Sequence, residues 1–297
     1  MKHLYFLLAK LNYFLGYYPG SSRISTLVSN HCPLVLGWAT HPLKFSWLIN
    51  SRDSFSTFLS SCEPFTTKVL LSRVAELDTF INIGANRGWY PLAVGARNKD
   101  VQIFAIECNS LMFRQLQQNI LENRHNCELY QIAIGEHAMV SELYMPKDGN
   151  EGMSTLHPVG QQKQDDLIVE RVNVTSLDVC MSGRIATLGR TLILMDIEGS
   201  EMNALKGASR ILQEASPTLI IEINPVTLGA SGSSAAEVFG FLRRLGYEIY
   251  WIDERGHLVC VGNDNQPPHL VTLPPHSGAN YLFIKVGEAW VDRFIKC

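Results

Sequence analysis

At 297 residues, with 25 Lys and Arg against 28 Asp and Glu, the chain is long enough for one large α/β domain with a smaller extension. Its nearly balanced charge forms no basic stripe, which argues against a reader of phosphate backbones and leaves nucleic acid out of the expected partners. Seven cysteines stand at irregular spacing without a Cys-x-x-Cys pair, so free thiols in a reducing, cytoplasmic compartment are expected and no zinc or other resident metal is assigned.

Met1 to Tyr18 is apolar and aromatic, broken by Lys2 and Lys10. The run Leu4 to Ala9 is too short for a membrane span and no good small-x-small cleavage site follows it. The expected element is a helix packed on the main domain, with peripheral contact to a membrane surface as the alternative. Leu43 to Ile49 and Ser54 to Leu59 partly alternate around the turn-rich Asn50-Ser-Arg-Asp53, which predicts a hairpin. Pro64 then opens a helix with Val69, Leu70 and Val74 at helical spacing. Residues 1–65 thus form a helix-and-hairpin extension, a lid or platform for a catalytic domain over residues 66–297.

From Asp78 strand and helix patterns alternate. Phe80 to Ile83 reads as a buried strand, Gly84-Ala-Asn-Arg-Gly88 as a turn opening a helix, and Val101 to Cys108 as a second buried strand with Glu107 at its carboxyl end. Leu111 to Asn123 is a helix capped by Ser110, and Leu129 to Ile134 a third strand. The rhythm breaks between Ala138 and Asp178, which predicts an inserted hairpin, Val140 to Tyr144 with Ile168 to Val174, around a long loop. Strand Thr191 to Met195, a helix running to Leu212 and strand Leu219 to Ile223 follow. Ser234-Ala-Ala-Glu237 is a capping box for a helix that Gly246 closes. Tyr247 to Ile252, His257 to Val261 and Tyr281 to Val286 finish the chain as strands. The fold class is α/β, a doubly wound and largely parallel sheet with an insertion and an antiparallel finish.

Gly84 and Gly88 allow close backbone approach, and the helix behind them presents free N–H groups. The third glycine of the dinucleotide fingerprint is missing, which speaks against a nicotinamide oxidoreductase. Glu107, ending the second strand, is placed to accept from both hydroxyls of a ribose. An open turn without a pyrophosphate cradle suits a nucleoside with an amino-acid tail, S-adenosyl-L-methionine. Asp196 ends the fourth strand at the switch-point crevice, Glu198 follows it, and Glu222 lies near the end of the next strand. Three such acids can remove a proton, orient a hydroxyl or chelate a divalent ion. Glu198, beside Gly199, is equally suited to compensate a helix N-terminus. His157 and His276 in loops are weaker candidates for a base, since most loop histidines are solvated.

Phe80-Ile-Asn-Ile-Gly-Ala-Asn-Arg-Gly-Trp-Tyr90 resembles the cofactor motif of the FkbM-type methyltransferases. Three further blocks agree: Val174-Thr-Ser-Leu-Asp178, Leu194-Met-Asp-Ile-Glu-Gly-Ser-Glu201 with Leu205-Lys-Gly-Ala208, and Ile220-Ile-Glu-Ile223. The resemblance implies the Rossmann-like fold of class I S-adenosylmethionine-dependent methyltransferases, a mostly parallel seven-stranded sheet with an antiparallel last strand. It implies O-methylation of a sugar or other polyhydroxylated acceptor, with natural-product O- or N-methylation as the alternative. By the same likeness Gly84, Asn86 and Gly88 surround the methionine end of the cofactor, Glu107 takes the ribose, Ala133 lies beside the adenine, and Ser154 belongs to a loop near the cofactor. Asn82 stands where the family commonly carries Asp, so its contact to the cofactor's ammonium group would lack a charge. That departure also favours a further alternative, a methyltransferase-like binding module without catalysis.

Overall fold

The computed structural model describes residues 36–60, 62–147, 153–159, 166–262, 270, 277–287 and 295–296. The helix expected over Met1 to Tyr18 and His276 lie outside these residues. Strands β1 (Gly37–Thr40) and β2 (Ser46–Ile49) pair antiparallel, Gly37 opposite Ile49. The second half of the expected hairpin is instead helix α1 (Arg52–Ser60). Phe55, Phe58 and Leu59 are all fully buried, and their spacing of three and four puts them on one helical face. Ser51 and Ser54 start the helix by reciprocal bonds, each backbone N–H donating to the other's hydroxyl at 2.9 and 3.0 Å. Helix α2 (Pro64–Leu71) follows, with Pro at its first turn.

The central sheet contains β3 (Thr79–Ile83), β4 (Gln102–Ile106), β5 (Cys127–Tyr130), β9 (Thr191–Met195), β10 (Thr218–Ile223), β11 (Tyr247–Ile252), β12 (Leu258–Cys260), β13 (Ala279–Lys285) and the two-residue β14 (Ile295–Lys296). Its order is β14-β12-β11-β13-β10-β9-β3-β4-β5. The five strands from β5 to β10 are parallel, and β13 runs antiparallel to both β10 and β11. The seven strands of the expected sheet are present in a doubly wound order, β12 falls where a strand was expected at His257 to Val261, and β14 adds one more at the edge.

Alternate residues of the central strands feed two cores, as the period of two requires. Phe80, Leu192, Leu194 and Ile220 face α3 (Trp89–Arg97), α4 (Ser110–Asn123) and the β1–β2 segment. Ile81, Phe104, Ile193 and Ile221 face α5 (Leu177–Cys180), α6 (Glu201–Lys206), α7 (Ser209–Glu214) and α9 (Ala235–Arg244). Short α8 (Pro225–Ala230) links β10 to α9. Among the described residues no helix is long and apolar enough to cross a membrane.

Three local expectations are corrected, and the inserted hairpin is present where expected. Helix α4 is capped by Asn109, whose Oδ1 accepts from the N–H groups of Leu111 and Met112, and Ser110 is its first helical residue. The third strand breaks after Tyr130: β6 (Ala133–Ile134) leaves the central sheet and pairs with β8 (Leu167–Thr175). The helix expected to run unbroken to Leu212 splits at Gly207, where the Gly135 carbonyl oxygen lies 2.0 Å from the position a Cβ would take. The Asp178 carboxylate then caps α7, accepting from the N–H groups of Arg210 and Ile211. The inserted hairpin is β7 (Met139–Pro146) against β8, and with β6 it makes a separate three-stranded sheet.

Candidate active site

Strands β3 and β9 are neighbours at the point where the strand order reverses, with Ile83 opposite Met195. The turns that follow them therefore meet, which is where this kind of sheet opens a crevice. Gly84 has φ of 80°, and the Asp196 carbonyl oxygen sits 1.8 Å from where a Cβ would be. Gly88, with φ of 91°, caps α3 and leaves room for Leu116 Cδ1 at 2.6 Å from its absent Cβ. Close packing of the protein on itself thus already demands both glycines, before any ligand is considered. Between them Asn86, also left-handed, donates its backbone N–H to Glu107 Oε2 at 2.8 Å. The Asn109 N–H donates to Oε1 at 2.8 Å. Burial pushes the Glu107 carboxyl up to about 7, against the pull of these two bonds.

One cavity brings together Gly84, Asn86, Glu107, Ala133, Ser154, Asp196 and Glu198. Asn109, which sequence reasoning missed, ties three of its parts: it caps α4, holds Glu107, and donates from Nδ2 to Ser154 Oγ at 3.0 Å. Its signal was available, since Asn before an apolar helical run is a preferred cap. Asn82, Gly88 and Glu222 do not line this cavity. Asn82 is 0 % exposed; its Nδ2 makes only a long bond to the Leu194 carbonyl at 3.4 Å, and its Oδ1 has no partner.

The segment before β3 closes part of the cavity with Trp47, Asp53 and Cys62. Arg87 lines it too, donating from Nε to Gln115 Oε1 at 2.8 Å and from Nη1 to Asp53. Trp47 and Trp89 are buried and pack edge-on at 5.5 Å, as core aromatic residues do, and both also line the cavity. Trp38 lies apart, in a surface groove with Leu48 and Leu121.

Four carboxylates gather at the ends of β9 and β10. One oxygen from each of Asp196, Glu198 and Glu222 lies within 4.8 Å of the others. Glu222 is raised well above the usual carboxylate range, first by the Asp196 charge and then by burial. Burial and the Asp196 charge push Glu198 up to about 8. The fourth acid, Glu63, is another residue that sequence reasoning did not identify. It is left-handed with φ of 44° and accepts at Oε2 from Tyr90 Oη at 2.7 Å and Asn280 Nδ2 at 3.0 Å. Nothing local in the sequence announces it, because Asn280 is 217 residues away. Asn280 in turn stands opposite Glu222 in the β10–β13 register. His157 is half-buried in the insertion loop and burial lowers its pKa. That loop is pinned to the acid cluster through Thr155, whose Oγ1 donates to the Glu198 carbonyl at 2.7 Å.

Among solved structures, an FkbM methyltransferase from Methylobacillus flagellatus KT is similar at 16% identity and a TM-score of 0.42, over 78% of this chain and 54% of that one. This chain thus spans about half the length of that structure. A putative O-methyltransferase from Klebsiella pneumoniae is similar at 11% identity and 0.38, over 73% and 77%. The tRNA (uracil-54, C5)-methyltransferase of Pyrococcus abyssi, solved with S-adenosyl-L-homocysteine, is similar at 11% and 0.40, over 83% and 43%. No curated protein matches the sequence. The model of the methyltransferase FkbM domain matches residues 82–249, a span that holds the glycine turn, Glu107, Asp196, Glu198 and Glu222. Over more than half its length the chain carries that domain, and it belongs to the FkbM family of methyltransferases, which use S-adenosylmethionine.

Proposed function

We propose that the protein methylates a hydroxyl group of a sugar or another polyhydroxylated acceptor. The observation that carries this reading is the cluster of Asp196, Glu198 and Glu222 at the edge of the cavity that also contains Glu107. The cavity residues fit S-adenosylmethionine: Asn86 Oδ1 is a buried hydrogen-bonding atom without a protein partner, and the surrounding charge is mostly acidic, as a sulfonium and an ammonium group require. Glu107 would accept from the ribose hydroxyls, and Asn86 and Asp196 would face the cationic end. When bound, the cofactor supplies a methyl group already activated on sulfonium sulfur. The chain's own residues then have to place an acceptor oxygen in line with that methyl and take its proton. As the new C–O bond forms and the S–C bond breaks, the acceptor O–H proton passes to a carboxylate of the cluster, leaving an ether and a neutral thioether.

Two measurements on purified protein test this. Calorimetry is expected to show binding of S-adenosylmethionine, weakened at least tenfold by Glu107→Ala. A screen of hydroxylated glycans for methyl transfer is expected to find an acceptor whose turnover Asp196→Asn abolishes. A folded chain that binds no S-adenosylmethionine contradicts the reading, and turnover of an amine acceptor that Asp196→Asn leaves intact replaces it with N-methylation.

A further inference from the structure

We propose that Asp196, Glu198 and Glu222 together hold a divalent cation. One carboxylate oxygen from each lies within 4.8 Å of the other two. Opposite oxygens stand about 5 Å apart around a calcium-sized ion and about 4 Å apart around magnesium. The three oxygens are thus close enough to share one coordination sphere. The donors are all oxygen, which selects magnesium, calcium or manganese over zinc.

A second observation is independent of the acids. Ser200 lies on the same turn as Asp196 and Glu198 and lines the same cavity. It is 3 % exposed, and its hydroxyl has no hydrogen-bond partner. A buried hydroxyl is normally satisfied, and here a cation or one of its waters would satisfy it. Positive charge from the protein does not answer the cluster. Among the described residues lining the cavity the one cation is Arg87, already engaged by Asp53 and Gln115. Glu63 brings a fourth carboxylate toward the same point from outside the family domain. An ion held there would orient the hydroxyls of an acceptor and polarise the one to be methylated. That role rests on the hydroxyl-methylation reading; the binding of the ion does not.

Titration of the full-length, purified chain with manganese(II), followed by electron paramagnetic resonance of the free ion, tests the site directly. One saturable site is expected, weakened at least tenfold in Glu222→Gln and in Glu198→Gln, while Glu254→Gln on the exposed surface binds like the wild type. Failure of the folded wild type to bind manganese(II) or calcium, or binding that neither amide variant diminishes, overturns the proposal. S-adenosylmethionine titrated into the same samples separates the two readings: binding of the cofactor without binding of the ion sinks the cation site and leaves the methyltransferase reading standing.

Discussion

Gly84 and Gly88 look alike in the sequence and are constrained by different neighbours. At Gly84 an added Cβ meets a backbone oxygen, that of Asp196, which moves only if β9 moves. At Gly88 it meets the end of a Leu116 side chain, which has other rotamers. Gly88→Ala is expected to cost about 2–4 kcal/mol from the left-handed backbone and overpacking together. Gly84→Ala is expected to cost more, or to prevent folding. Urea denaturation of the two variants checks this; an equal or smaller loss for Gly84→Ala would show that the β3 and β9 turns can separate. The glycine pattern was readable as a special turn, while its cause was not. The residue that fills each missing Cβ comes from another element, and no local spacing reports it.

The same limit separates the elements that could be read from those that could not. Strands β3, β4, β9 and β10 were legible nearly to the residue, because strands buried on both faces are continuous apolar runs. The segment Ser54 to Leu59 was misread as a strand, since serine and threonine between aromatic residues imitate alternation. Its apolar positions in fact recur at three and four, and the serine pair at its start forms a cap. Ser54 Oγ accepts from the N–H groups of both Asn50 and Ser51 and is fully buried. Ser54→Ala is expected to destabilise the protein by about 1–3 kcal/mol. Thermal unfolding measures it, and a change below about 0.5 kcal/mol would mean that the cap does not hold α1 in place. The departure of Ala133 and Ile134 to β8 could not be read, because either sheet accepts two apolar residues and the choice is made by a partner about forty positions away.

At the scale of the molecule, buried carboxylates set how the site responds to pH. Glu107 titrates near 7 when folded and near its ordinary value of 4.5 when unfolded. A raised pKa favours the folded, ligand-free chain fully below the unfolded value, and that contribution is lost as pH rises through about 7. Melting temperature without ligand is therefore expected to fall between pH 5 and pH 8. Cofactor binding should run the other way, because ribose hydroxyls donate to the ionised form. With a pKa of about 7 the ionised fraction drops roughly tenfold from pH 8 to pH 6, and affinity for S-adenosylmethionine should drop with it. Calorimetry at the two pH values checks the slope; a flat profile would remove Glu107 from the ribose contact. The strand ends that carry Glu107, Asp196 and Glu222 were legible from topology, whereas Glu63 was not, since its place depends on how distant segments close over the crevice.

The bridge from Glu63 to Asn280 bears on whether this protein is made of exchangeable parts. One end of the bridge precedes the family domain and the other follows it, yet both meet at Glu222, inside it. A chimera that keeps residues 82–249 and borrows its flanks from a relative would retain every acid of the family motif and lose the two groups that hold its rim. Such a graft is expected to bind cofactor and to turn over its native acceptor poorly, which would mark flanks and domain as a matched set.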